Sequence, residues 1–227
     1  MFSKLSKELM VTARRGGSDP NMNPSLRTVI QKAKSINMPA DNIERSIKKG
    51  TGELEGVIFE DIIYEGYAGS GIGLVVMVLT DNKNRAASEI RHIFTKHGSS
   101  LAGQGSVMRG FERKGQIFID SANVDEDRLM EIVLEAGAED MQKDNDHFEI
   151  ITGHESFNAV TDALEKENIK PDSAEVTMLP IATVPVADKS LASAVLKFIN
   201  DLEDNDDVQN VYTNMEMTEE VIKEMEK

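Results

Sequence analysis

The sequence predicts an α+β multidomain chain: an N-terminal three-helix domain plus two α/β ferredoxin-like domains, one inserted in the other. Three observations predict it. The first fifty residues hold three short amphipathic stretches separated by glycine breaks. From Gly115 the elements follow the order βαββαβ, the split ferredoxin-like unit. The segments 57–114 and 183–217 each hold too few elements to bury themselves, and joining them completes both. The boundaries that follow are 1–56 for a basic helical domain, 57–114 with 183–217 for a discontinuous α/β domain, 115–182 for the inserted acidic domain, and 218–227 for a C-terminal tail.

Each element has its own signal. Phe2, Leu5 and Leu9 have helical spacing, and Gly16-Gly17 stops that helix. Asn23-Pro24 reads as an N-cap with proline at the first helical position, ahead of the stripe Leu26, Val29, Ile30 and Ala33. Pro39 opens a third helix with Ile43 and Ile47 inward, and Gly50 is expected to close it. Phe59–Tyr64 and Leu74–Thr80 read as strands around a glycine-rich turn, residues 66–73. A helix over 84–97 follows, and Ser106–Phe111 is expected to add a third strand. In the inserted unit, strands are expected at 116–120, 139–143, 147–152 and 174–179, with helices at 125–136 and 155–167. The hairpin turn falls on Asp144-Asn145-Asp146. A helix over 188–202 and a strand over 208–214 complete the pattern.

Charge is strongly asymmetric. The net −15 of the 227 residues divides into +6 over residues 1–50, −1 over 51–115 and −20 over 116–227. A field acts within about 8–10 Å, so the basic end can attract a polyanion despite the acidic total. Cysteine is absent, which excludes disulfide scaffolds, thiolate zinc sites and cysteine nucleophiles. The longest apolar run, Gly71–Leu79, is nine residues, against the about 18 a membrane span needs. No signal-peptide pattern opens the chain, so a cytoplasmic location and no membrane partner are expected.

Motifs for catalysis are missing. The glycine loop 66–73 leads into a strand rather than a helix, so it lacks the helix N-terminus that a dinucleotide site requires and reads as a hairpin turn. The four histidines show no i, i+4 pair, and His97 reads as a packed or capping residue. The run Asp201, Glu203, Asp204, Asp206 and Asp207 lacks the glycine and distal glutamate of a calcium loop and reads as a solvated acidic turn. No enzyme activity, metal or cofactor is expected.

The basic segment carries the candidate site. Arg45, Lys48 and Lys49 stand at i, i+3 and i+4, on one helix face. Arg14 and Arg15 end the first helix, and Arg27 and Lys34 align on the second. On the middle helix Arg85, Glu89, His92 and Lys96 share one side, with Asn82 and Arg85 at its entrance. Lysine and arginine without base-reading partners contact phosphates, which gives affinity without sequence discrimination.

Longer stretches carry a resemblance. Asp41-Asn42-Ile43-Glu44-Arg45-Ser46-Ile47-Lys48-Lys49-Gly50-Thr51-Gly52 and Tyr64-Glu65-Gly66-Tyr67 resemble the YebC/PmpR family. So do Thr80-Asp81-Asn82-Lys83-Asn84-Arg85, Arg91-His92, Lys96-His97-Gly98 and Phe111-Glu112-Arg113-Lys114-Gly115. The resemblance covers essentially the whole chain. It implies a helical N-terminal domain and two α/β domains, one interrupted by the other, with no enzyme activity. It also implies a DNA-binding transcriptional regulator, or a ribosome-associated translation factor that contacts ribosomal RNA. A protein-only adaptor that takes basic proteins at its acidic domains is the third reading. Family members usually begin with a basic segment containing a Gly-His-Ser-Lys-Trp-like stretch, whereas this chain starts at Met1-Phe2-Ser3-Lys4-Leu5. A short form, a different start site and a trimmed sequence are all open readings of that difference.

Overall fold

The computed structural model describes residues 2–144 and 146–225. It divides into two compact units, residues 1–108 with 184–227 and residues 109–183. The first opens with helices α1 (Phe2–Gly16), α2 (Pro24–Ser35) and α3 (Ala40–Thr51). Leu5, Leu9, Ala13, Leu26, Val29, Ala33, Met38 and Ile43 form their shared core. Phe2 lies outside it, 42% exposed, so the apolar stripe of α1 runs through Ala13 instead. Asn23 ties α1 to α2: its Oδ1 accepts from the Leu26 N–H at 3.1 Å, and its Nδ2 donates to the Thr12 and Gly17 carbonyls at 2.9 Å each.

Gly50 does not close α3. The helix runs on to Thr51, and Gly52 caps it in the left-handed region at φ +86°. Gly50 is instead the point of close approach between α1 and α3, where a Cβ would lie 2.3 Å from the Met10 carbonyl oxygen.

Strands β1 (Glu60–Tyr67) and β2 (Gly73–Thr80) pair antiparallel around the glycine loop, as its hairpin reading required. Helix α4 (Lys83–Lys96) buries Ala86, Ile90 and Phe94. The second half of this unit contributes β7 (Val184–Val186), α7 (Lys189–Glu203), β8 (Val208–Thr213), β9 (Met215–Met217) and α8 (Glu219–Met225). The sheet order is β1-β2-β8, with a separate parallel pair β7-β9. Phe94 and Phe198 meet edge to face at 4.9 Å in the core that α4, α7 and the sheet share.

Two further expectations for this unit fail. Ser106–Phe111 adds no strand, because the backbone there has another acceptor. The buried Glu65 carboxylate takes the N–H groups of Gly105, Val107 and Met108 at 2.6, 2.7 and 2.8 Å. Residues 218–227, expected to be a tail, include α8, whose Val221 is buried in the core. Glu226 and Lys227 lie outside the described residues.

The second unit contains β3 (Phe111–Asp120), α5 (Glu126–Glu135), β4 (Ala138–Asp144), β5 (His147–Gly153), α6 (Phe157–Lys166) and β6 (Ser173–Pro180). The order β4-β5-β3-β6, antiparallel throughout, is the ferredoxin-like arrangement. Strand β3 runs straight through Gly115, which is a packing glycine: a Cβ there would sit 2.3 Å from Thr152 Oγ1 and 2.5 Å from Phe157 Cδ2. The turn between β4 and β5 contains Asn145, outside the described residues. No helix among the described residues is long and apolar enough to cross a membrane.

Candidate nucleic-acid interface

The cations of the three helices fall into two groups. Arg14, Arg27 and Arg45 are exposed, as is Lys34, and Lys49 is half-buried. None of these five has an ion pair among the described residues. The others are engaged. Arg15 pairs with Asp61 at the start of β1. Lys48 bonds Glu44 one turn back at 2.5 Å, which raises the lysine pKa and lowers that of the glutamate. The three cations expected to share one face of α3 therefore differ in availability. Arg45 and Lys49 stand free beside a groove toward α1, and Lys48 is tied to its own helix.

Asn82, Arg85 and Lys96, predicted at α4, are exposed, but each is already engaged by other groups of the protein. The Asn82 side chain caps the helix, accepting from the Arg85 N–H at 3.0 Å. Arg85 Nη2 donates to Asp81 at 2.8 Å and to Asp207 at 2.7 Å, and both bonds push the guanidinium pKa up. Lys96 pairs with Asp201 at 2.6 Å. His97 Nε2 lies 2.8 Å from the same carboxylate, and its ring stacks on Phe198 at 4.6 Å, the packed role read from sequence. The Lys96 and His97 bonds lower the Asp201 carboxyl to about 2.

Asp207 joins three elements. Its Oδ1 accepts from Lys7 of α1 at 2.6 Å, and its Oδ2 accepts from Thr80 at the end of β2 at 2.8 Å and from Arg85. Burial opposes ionisation of this side chain, which is 5% exposed, and the three donors outweigh it, leaving its pKa below the ordinary aspartate value. Lys7 also donates to the Asp206 carbonyl at 2.9 Å, and Lys4 donates to that of Glu203. The acidic run 201–207 is thus only partly a solvated turn: Glu203, Asp204 and Asp206 are exposed, whereas Asp207 is buried. It also seats helix α1, because the Glu203 and Asp206 carbonyls and the Asp207 carboxylate receive that helix's lysines.

With this geometry in hand, the chain can be set beside known proteins. Residues 1–53 match the TACO1/YebC protein N-terminal domain, and residues 59–215 match the TACO1/YebC second and third domain. The chain belongs to the TACO1/YebC family. A relative from Persephonella marina is 48% identical, with 99% of this chain and 90% of the relative covered. One from Desulfatibacillum aliphaticivorans is 51% identical over the same shares. Each is named a probable transcriptional regulatory protein. The crystal structure of a conserved hypothetical protein from Aquifex aeolicus superposes with a TM-score of 0.85 at 48% identity, covering 96% of this chain and 90% of that one. The N-terminal family match stops just after the α3 cap at Gly52, and the second begins one residue before β1.

Sequence reasoning missed Lys4, Lys7, Glu65, Thr80 and Asp207. Thr80 and Glu65 stand inside the stretches that carry the family resemblance, which was their one signal. Lys7 and Asp207 are 200 residues apart, and no local pattern links them.

Proposed function

We propose that this protein is a non-enzymatic regulator of gene expression that grips nucleic-acid backbone through its N-terminal helices, as a DNA-binding transcriptional regulator. One observation carries the reading: Arg14, Arg27, Lys34, Arg45 and Lys49 are left unpaired among the described residues, while neighbouring cations are neutralised. Unpaired cations on helix faces recruit phosphates and release counterions. The names of the relatives support a role in regulation. Cations that meet phosphates rather than base edges carry no sequence information, so this binding is of low sequence selectivity.

A second reading is favoured by the charge of the inserted unit. Residues 109–183 carry a net −11. Such a surface is repelled by naked duplex and is attracted to basic proteins. Helices on ribosomal RNA with an acidic unit on ribosomal proteins would be an oriented contact, that of a ribosome-associated translation factor. Sedimentation of cell extract with and without nuclease separates the two. Travel with DNA that nuclease abolishes supports the transcriptional reading. Travel with ribosomal particles, resisting displacement by duplex DNA at equal phosphate, replaces it with the translational one. Migration as a free protein under both conditions overturns both.

A further inference from the structure

Helices α1 and α3 enclose a groove lined by Ser6 and Met10 from one side and Asn42, Arg45, Ser46 and Lys49 from the other. Three features make it more than a surface crease. Arg45 and Lys49, one turn apart on its wall, have no ion pair among the described residues. At the Gly50 end the backbones approach so closely that a Cβ would lie 2.3 Å from the Met10 carbonyl oxygen, which closes the groove there and holds its width. The Ser46 hydroxyl on its floor is turned back to the Asn42 carbonyl at 2.8 Å, so the free polar groups facing an occupant are the Ser6 hydroxyl, the Asn42 amide and the two cations. No carboxylate is among the six residues that line it.

We infer that this groove seats a phosphodiester of a single nucleic-acid strand, with Arg45 and Lys49 bonding its anionic oxygens, Ser6 and Asn42 donating beside them, and Met10 packing against the sugar. The inference rests on the proposed nucleic-acid function and deepens it, naming where and in what form the backbone is held. A recess between two helices admits one strand's phosphate and sugar; a helix inserted into the major groove would instead present a convex face. A guanidinium matches two phosphate oxygens at once, and the ammonium one turn away adds a point charge.

The test uses the full chain, with fluorescein-labelled oligo(dT), oligo(U) and a neutral methylphosphonate oligo(dT), titrated over a range of salt. Arg45→Ala and Lys49→Ala are each expected to weaken binding of the charged strands about tenfold. The double variant should lower the log–log salt slope by about 0.7, one phosphate of a single strand. The pair Arg27→Ala and Lys34→Ala removes the same charge from α2 and should lose less. Asn42→Asp keeps the fold, since an acid in the first turn of α3 suits the helix dipole, and it should repel the strand. Preference for oligo(U) assigns the strand to RNA and preference for oligo(dT) to DNA; both support the groove. Equal losses from the α2 and α3 pairs overturn the groove and leave the nucleic-acid function standing. A methylphosphonate strand bound as tightly as the charged one overturns phosphate as the ligand. No binding of any strand by the wild-type chain overturns the groove and the function together.

Discussion

Asp207 and Glu65 show how much single carboxylates organise here. Asp207 gathers Lys7, Thr80 and Arg85 at 2.6, 2.8 and 2.7 Å. Asp207→Asn keeps the shape and removes the charge, so the largely buried Lys7 loses its counterion and Arg85 keeps only Asp81. The expected loss is about 3 kcal/mol in denaturant unfolding. Acid should act through the same groups. Asp201 and Asp207 both ionise more readily in the folded protein than their ordinary values allow. The unfolded chain therefore takes up protons first as pH falls. Their stabilisation is complete above about pH 4 and is lost toward the value of about 2 for Asp201. A denaturant midpoint measured against pH should fall in that window, and Asp201→Asn should flatten the fall. Glu65 accepts three backbone N–H groups. Glu65→Gln leaves one side-chain acceptor where there were two oxygens and should destabilise by about 2 kcal/mol. Amide exchange at Gly105, Val107 and Met108 should accelerate with it.

At the scale of elements, Gly50 is the sharpest case. Inside a helix, glycine is less stable than alanine by about 0.5–1 kcal/mol. A reading from propensity alone predicts that Gly50→Ala stabilises. The structure predicts the opposite, since the new methyl meets the Met10 carbonyl of α1 at 2.3 Å. Prising the helices apart should destabilise by about 1–3 kcal/mol, measurable as a lowered urea midpoint. The elements themselves were mostly legible. Apolar spacing located all three N-terminal helices, and turn residues located the hairpins, because these are properties of neighbouring residues. The failures have two causes. Ser106–Phe111 has strand composition, yet its N–H groups go to a carboxylate about forty residues earlier, which no window of sequence reports. The short β7 and β9 are too brief for alternation to register.

For the whole molecule, the insertion has a checkable consequence. Strands β3 and β6 pair with Phe111 opposite Pro180, and the Ile181 N–H bonds the Gly110 carbonyl at 2.8 Å. The two ends of the inserted unit therefore lie side by side. Replacing residues 109–183 by a short glycine–serine linker should leave a folded protein with the far-ultraviolet spectrum of its helices and β1-β2-β8 sheet. It also removes a net −11. Under the nucleic-acid reading, the shortened chain should bind oligo(dT) at least as tightly as the full chain at the same salt. Weaker binding would assign the strand to the inserted unit instead.

Sequence alone determined the class of this protein. Helical periodicity, the βαββαβ order and the basic-to-acidic gradient are written in residues close together in the chain, so they can be read before it folds. Which cations remain available was settled by folding. Arg85 and Arg45 look alike as sequence. One finds Asp207, 122 residues away, and the other finds no acid among the described residues. Charge pairing depends on distance in space, and Asp207 draws in Lys7 and Arg85 from 200 and 122 residues away.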